Sequence, residues 1–299
     1  MEEKEGIKHF LCAGTFPERT RLDVYLADCL ETDRLVARNW IVSGFVLVDG
    51  KKGKPSLLLW PGAEIEVSLP PPRPAQAVPE DLPLEIFFED EALVVVNKAA
   101  GMPCHPGPGW WHGGLVNALL YHCSGWAGIG GEATPGIVHR LDKDTTGLVV
   151  YAKGDIVHKR LLEAMRERRI ERRYDALCEG RLEGEGTIDL PLRRDGEDSF
   201  RRKVDPEGKR AVTHWRALYE KEDKTALALR LETGRTHQIR VHLAHVGHPI
   251  CGDALYGKGD PDDPSRFMAL HSSYLAFEHP LEGGRLEFSC PAAFLSKPF

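Results

Sequence analysis

The run from Pro70 to Pro83, PPPRPAQAVPEDLP, constrains this chain more than any other feature. Proline fixes φ and carries no backbone N–H, so a stretch this dense in it neither continues a helix nor fills the middle of a sheet. It shows no hydrophobic periodicity and reads as a semi-rigid linker. A boundary falls there, with residues 1–69 on one side and 84–299 on the other. At 299 residues the chain is long enough for each part to bury a core of its own.

Before the linker, Leu22, Tyr25, Leu26, Cys29 and Leu30 recur at helical spacing, and a second short helix is predicted over Arg34 to Val42, ended by Gly44. Phe45 to Val48 is an apolar run closed by the turn dipeptide Asp49-Gly50, and Ala63, Ile65, Val67 and Leu69 alternate with polar residues. Two helices and a small sheet make an α/β module of accessory-domain size. After the linker, strand-like runs dominate: Leu93 to Val96, Gly136 to Val138, Leu148 to Ala152, Tyr174 to Cys178, and the alternating Leu227, Leu229 and Leu231. One helix is predicted from Asp155 to Arg168 on the spacing of Val157, Leu161 and Met165. Another starts at Thr236 as N-cap and stops at Gly247, with Ile239, Leu243 and Val246 as its buried stripe. This irregular alternation predicts an α+β fold around a mixed, largely antiparallel sheet.

Several function classes are excluded on the way. The N-terminal MEEKEGIKHF has no apolar segment, and no stretch approaches the roughly 18 apolar residues of a membrane span. A cytoplasmic protein with no membrane contact is expected, and monomer is the default state. Seven cysteines (Cys12, Cys29, Cys104, Cys123, Cys178, Cys251, Cys290) are scattered without a CxxC, as free thiols would be. His237, His242, His245 and His248 lack HExxH spacing and gather no carboxylate on a shared face, so no metal is expected. Gly252 to Lys258 reads GxxxxGK, but Gly259 stands where a phosphate loop needs Ser or Thr. The glycines between Gly125 and Gly136 have no fingerprint spacing and suit a surface loop.

The segment GIVHRLDKDTTGLVVYAK, Gly136 to Lys153, sets charged residues between two strand-like runs. A carboxylate held between Arg140 and Lys143 is favoured in its charged form, which suits a nucleophile. The bland alternative is an Asx-turn over Asp144 to Gly147 amid surface charges. Chemistry alone does not choose between Asp142 and Asp144.

His139-Arg140-Leu141-Asp142-Lys143-Asp144-Thr145-Thr146-Gly147 resembles the HRLDKDTSG signature of the RluA/RluD-type pseudouridine synthases, with Thr146 for the commoner serine. The resemblance implies isomerisation of uridine in structured RNA, with Asp142 as the catalytic aspartate and Arg140 filling the space left by a flipped base. It also implies roles for Tyr174 in ERRYDALCEG, which would stack on the base and take the C5 proton, and for Arg240 in ETGRTHQIRVHLAHVGHPICGDALYG, which would pair with Asp142. It extends through IFFEDEALVVVNKAAGMPCHPG and HSSYLAFEHPLEGGRLEFSCPAAF, covering nearly all of 84–299. Two departures, Ala99 where Asn-Lys-Pro is usual and Cys104 before His-Pro, fall outside the motifs expected to carry the chemistry.

RNA contacts are then expected from His139, Arg140, Lys143, Arg235 and His237, and from Arg168, Arg169 and Arg172. The last three lie in the run Lys159 to Arg173, which has seven Lys and Arg against three Asp and Glu. A solvated helix face is the usual reading of such a run, and the same holds for the mixed-charge stretch from Arg193 to Arg210. Trp110 and Trp111 suit core packing or base stacking. In the first part, RLDVYLADCL and GFVLVDGKKGKP resemble an S4-like RNA-binding domain, although 1–69 holds nine Lys and Arg against eleven Asp and Glu. The expected partner is large-subunit ribosomal RNA or a pre-ribosomal particle, with tRNA as the competing substrate and no cofactor. A catalytically silent RNA-binding protein would not need Asp142, Tyr174 and Arg240 together, and a glycoside hydrolase would need a second carboxylate that the motifs do not supply.

Overall fold

The computed structural model describes residues 8–12, 20–32, 34–69, 73–74, 77–105, 112–126, 132–133, 135–196, 200–260 and 267–296. Trp110 and Trp111 lie outside them, as does much of the Gly125 to Gly136 stretch. The first elements are β1 (Lys8–Cys12), α1 (Leu22–Cys29), α2 (Arg34–Val42), β2 (Val46–Val48), β3 (Lys51–Lys52) and β4 (Ile65–Leu69), with the strands in the order β1-β4-β2-β3, all antiparallel. Asp49 and Gly50 both take positive φ, so the β2–β3 hairpin closes on the two-residue turn read from the sequence. Leu22, Leu26, Ala37, Ile41, Val46, Ile65 and Val67 form a separate core here. Inside this unit the buried Asp23 is held by Arg21 at 2.9 Å and Arg34 at 3.0 Å.

The chain continues through β5 (Arg73–Pro74), β6 (Glu85–Glu89), β7 (Leu93–Lys98), α3 (Leu115–His122), β8 (Glu132–Ala133), β9 (Gly136–Ile137), β10 (Thr146–Ala152), α4 (Asp155–Arg166) and β11 (Glu171–Glu179). Then come β12 (Glu185–Asp189), β13 (Leu192–Arg194), β14 (Arg202–Val204), β15 (Val212–Lys221), β16 (Lys224–Leu231), α5 (Gln238–His245), β17 (Leu270–Glu278), β18 (Arg285–Ser289) and α6 (Ala293–Ser296). A ten-stranded sheet runs β12-β15-β16-β11-β17-β10-β7-β6, with β18 added to β17 and β9 to β10. Its one parallel pairing is β10 with β17; the rest is antiparallel, as expected of an α+β fold. On β7, Val94 and Val96 enter one core, with α3 and α5, while Leu93 and Val95 enter a second, with α4. Both faces are covered, which is why this strand is apolar without alternation. Burying each such side chain contributes about 1.5–3 kcal/mol.

Three boundaries differ from expectation. Helix α5 begins at Gln238 behind His237, whose φ of 58° is left-handed, so Thr236 is not its N-cap. Val246 lies beyond its end and is 42% exposed, while Ile239 and Leu243 are buried as read. Helix α4 stops at Arg166, and Arg168 sits at positive φ in the turn that follows. Among the described residues no helix is long and apolar enough to cross a membrane, no His, Cys, Asp and Glu gather as a metal site, and Cys29, Cys104, Cys123, Cys178, Cys251 and Cys290 are free thiols.

Candidate active site

The loop between β9 and β10 carries Asp142, and several independent contacts fix it. The Lys98 ammonium, 0% exposed at the end of β7, donates to the carbonyls of Ala99, Met102 and Lys143 at 2.8, 2.9 and 2.8 Å. The Leu141 N–H donates to Cys104 Sγ at 3.3 Å. Of the two departures from the family pattern, Cys104 touches the loop that bears Asp142 through its thiol, while Ala99 meets only Lys98, through a carbonyl that proline would also supply. The Thr145 N–H donates to the Asp142 carbonyl at 3.1 Å, so the turn spans Asp142 to Thr145 and Thr146 already belongs to β10. At Gly147 φ is 110°, and a Cβ there would meet the Ser272 carbonyl oxygen at 2.4 Å. Only glycine permits this approach of β10 to β17.

Arg240, on α5, donates from Nη1 to Asp142 Oδ2 at 3.1 Å. Its Nε and Nη2 are taken by the two oxygens of Asp253 at 2.7 and 2.9 Å. Asp253 is itself held by the N–H groups of Leu255 at 2.8 Å and Tyr256 at 3.1 Å. Burial works against the Arg240 cation, but the hydrogen bonds and charges of Asp253 and Asp142 outweigh it and raise its pKa. Burial likewise opposes the Asp253 carboxylate and is outweighed by Arg240, so that carboxyl sits below its usual value. Asp142 is 16% exposed and its Oδ1 is left to the cavity, with His237 Nε2 at 3.9 Å. Tyr174 is 4% exposed. The β11–β17 register slips between Arg173 and Tyr174, a bulge of the kind that re-aims a side chain beside an active site. Burial raises the Tyr174 pKa, so it stands as the neutral phenol.

These groups line one cavity of about 380 Å³, the size class of a nucleoside site. Of the residues expected from the sequence, Asp142, Tyr174, Arg240, His139, Arg140, Arg172, Arg235 and His237 all line it. Arg140 is exposed at its rim. His139 is different in kind from the surface contact expected: it is 6% exposed, its Nε2 accepts the Val150 N–H at 3.4 Å, and burial pulls its pKa down to about 3. It is a neutral wall residue. Its Nδ1 and Arg172 Nε are buried donors with no partner among the described residues. Lys143, Arg168 and Arg169 do not line this cavity. Arg168 and Arg169 line a neighbouring hollow of about 770 Å³ that shares Met165, Arg172 and Leu231 with the first. There Arg168 pairs with Glu232 at 3.1 Å and Arg169 with Glu167 at 2.6 Å.

Lys98, Asp253 and Tyr256 were not expected at the site. Asp253 and Tyr256 lie in the GxxxxGK run weighed only as a phosphate loop, and the run in fact supports Arg240 and His237. Two of the other histidines have structural partners: His242 bonds Thr213 and the Leu190 carbonyl, and His248 the Glu179 carbonyl.

Comparison with known proteins shows the family. The family model for RNA pseudouridylate synthase matches residues 92–245. An uncharacterised RNA pseudouridine synthase, YlyB of Bacillus subtilis, is 41% identical over 274 residues, 91% of this chain and 90% of that one. Ribosomal large subunit pseudouridine synthase D of Zymomonas mobilis is 46% identical over 232 residues, 74% of this chain and 73% of its own, and that of Escherichia coli is 40% identical over 286 residues, 91% and 86%. The structure of human RNA pseudouridylate synthase domain containing 1 superposes with a TM-score of 0.57 at 26% identity, covering 71% of this chain and 84% of that one. The chain therefore belongs to the RluA/RluD-type RNA pseudouridine synthases, enzymes that isomerise uridine to pseudouridine in RNA.

Proposed function

We propose that the enzyme modifies uridines of large-subunit ribosomal RNA, with Asp142 as the catalytic carboxylate. The observation that carries the reading is the pairing of Asp142 Oδ2 with an Arg240 locked from behind by Asp253, which turns Oδ1 to a cavity of nucleoside size. A uridine leaves its stack at a cost of a few kcal/mol and enters the cavity, while Arg140 at the rim takes its place. The C1′–N1 bond breaks, the base turns, C5 bonds to C1′, and the C5 proton leaves as N1 gains one. Tyr174 lies against the base; as a neutral phenol it accepts the C5 proton only by releasing its own. The unpartnered His139 Nδ1 and Arg172 Nε suit the two carbonyls of uracil, since buried donors demand partners. No cofactor is required by an isomerisation with no net redox change.

The substrate assignment rests on the relatives named ribosomal large subunit pseudouridine synthase D. Arg235, His237, Lys143 and the Arg168, Arg169, Arg172 group are the proposed RNA contacts around the cavity. Residues 1–69, with their separate core, are proposed as an S4-like RNA-binding module, 70–83 as the linker and 84–299 as the catalytic domain of a cytoplasmic monomer. Tritium release from C5-labelled uridine in ribosomal RNA and in bulk tRNA tests the substrate. Release from ribosomal RNA supports it; release from tRNA alone would transfer the same chemistry to another substrate.

A further inference from the structure

Tyr256 fixes which nitrogen of His237 carries the proton. Its hydroxyl oxygen accepts the Arg202 N–H at 2.7 Å and stands 2.8 Å from His237 Nδ1. A backbone N–H can only donate, and the phenol has one proton to place. Given to Nδ1, that proton satisfies both groups; a proton on Nδ1 instead would leave the half-buried Tyr256 O–H without an acceptor among the described residues. His237 is thus the tautomer with Nδ1 accepting and Nε2–H donating. Burial lowers its pKa, with the Asp142 charge opposing, which keeps the ring neutral. The ring packs edge-on against Tyr256, and the left-handed backbone at His237 holds it at the start of α5.

Nε2–H stands 3.9 Å from Asp142 Oδ1, too far for a hydrogen bond. Both residues line the cavity, and one atom is a donor and the other an acceptor that Arg240 leaves free. A group that fits between them must accept from nitrogen and donate to carboxylate. Within an RNA chain a uridine has one such group. Its O2 and O4 only accept, N3–H only donates, and the 3′ and 5′ oxygens are esterified; the ribose 2′-hydroxyl does both. We infer that His237 is a specificity-determining residue whose Nε2–H and the Asp142 Oδ1 together clasp the 2′-hydroxyl of the target uridine. This contact selects ribose over deoxyribose and sets Asp142 beside C1′, one carbon from the hydroxyl, where the glycosidic bond breaks. The inference rests on the uridine-isomerase reading with Asp142 at its centre.

The test uses synthetic hairpins spanning a site modified in ribosomal RNA, with uridine or 2′-deoxyuridine at the target position and ribose elsewhere, against the full-length wild type, His237→Asn and Tyr256→Phe. Asparagine tolerates the left-handed backbone, so His237→Asn keeps the fold. Turnover of the all-ribose hairpin by wild type reports the isomerase reading itself, separately from sugar selection. For wild type, removing the 2′-hydroxyl is expected to slow single turnover by roughly 10–100-fold, the range for one charge-assisted bond. In His237→Asn the ribose-to-deoxyribose ratio should fall to about threefold or less, because the two deletions remove the same contact and do not add. Tyr256→Phe, which releases the tautomer, should reduce the ratio partway. A ratio unchanged in His237→Asn, or a wild type indifferent to the 2′-hydroxyl, would overturn the inference, whereas a residue of merely structural role would slow both hairpins equally.

Discussion

Asp253 grips Arg240 side-on, its two oxygens taking Nε and Nη2 at 2.7 and 2.9 Å, while Nη1 reaches Asp142. The guanidinium's aim is decided behind the site. Asp253→Asn would replace one acceptor by an amide that faces an arginine donor. Single-turnover tritium release is expected to fall by roughly 100-fold through misaligned Asp142, and urea unfolding to show a loss of about 3 kcal/mol for the half-broken buried pair. The Asp253 pKa is depressed below 3.8, so its contribution is fully present above that value and is lost as pH falls through the folded value. The stability gap between wild type and Asp253→Asn should be flat above about pH 5 and close under acid.

Lys98 gives a prediction of the same pH sense in the alkaline range. Burial pulls its pKa from 10.5 down to about 8, with the nearby Cys104, Asp144 and Asp142 opposing. Below pH 8 both folded and unfolded chains carry the proton. Between 8 and 10.5 the unfolded chain binds more, so stability rises with pH through that window. Unfolding free energies of wild type and Lys98→Met, measured across it, should diverge in favour of wild type by at most about 3 kcal/mol.

Gly147→Ala should disrupt the seam that carries the catalytic loop into the sheet. Its Cβ would enter at 2.4 Å from the Ser272 carbonyl oxygen, at a φ of 110°. Thermal unfolding is expected to show a loss of about 3 kcal/mol or more, with β10 and β17 the first amides to exchange.

Deleting residues 1–69 tests the accessory module. Its core is separate, so the remainder should fold and keep its chemistry on a short hairpin, while affinity for ribosomal RNA falls and the salt dependence of binding becomes shallower. Unchanged affinity and slope would remove the RNA-binding role from this part.

Local patterns were the legible part of the sequence. The helix Arg34–Val42 and the Asp49-Gly50 hairpin could be read because a periodic stripe and a turn dipeptide each act within a few residues. Strand β17 was not read, because His271, Ser272 and Ser273 interrupt its apolar pattern; all three are buried, and His271 and Ser272 are satisfied by hydrogen bonds, as Ser272 Oγ is by the Leu148 carbonyl at 3.0 Å. At the site, Asp142, Tyr174 and Arg240 came from a long motif resemblance, while charge spacing alone left Asp142 and Asp144 undivided. Asp253 and Lys98 were missed because what they do depends on partners brought together by the sheet: Lys98 reaches Lys143, 45 residues away. The His237 start of α5 was missed because sequence favours a side-chain N-cap, and here the turn is made by a left-handed histidine held by Tyr256.

The central claim, that Asp142 carries the isomerisation, is tested most directly by tritium release from C5-labelled ribosomal RNA with wild type and Asp142→Asn under single-turnover conditions, alongside their RNA affinities. Release by wild type and none by a folded Asp142→Asn that still binds the RNA is the predicted result. Undiminished release by the variant would contradict it and move the chemistry to another group in the cavity.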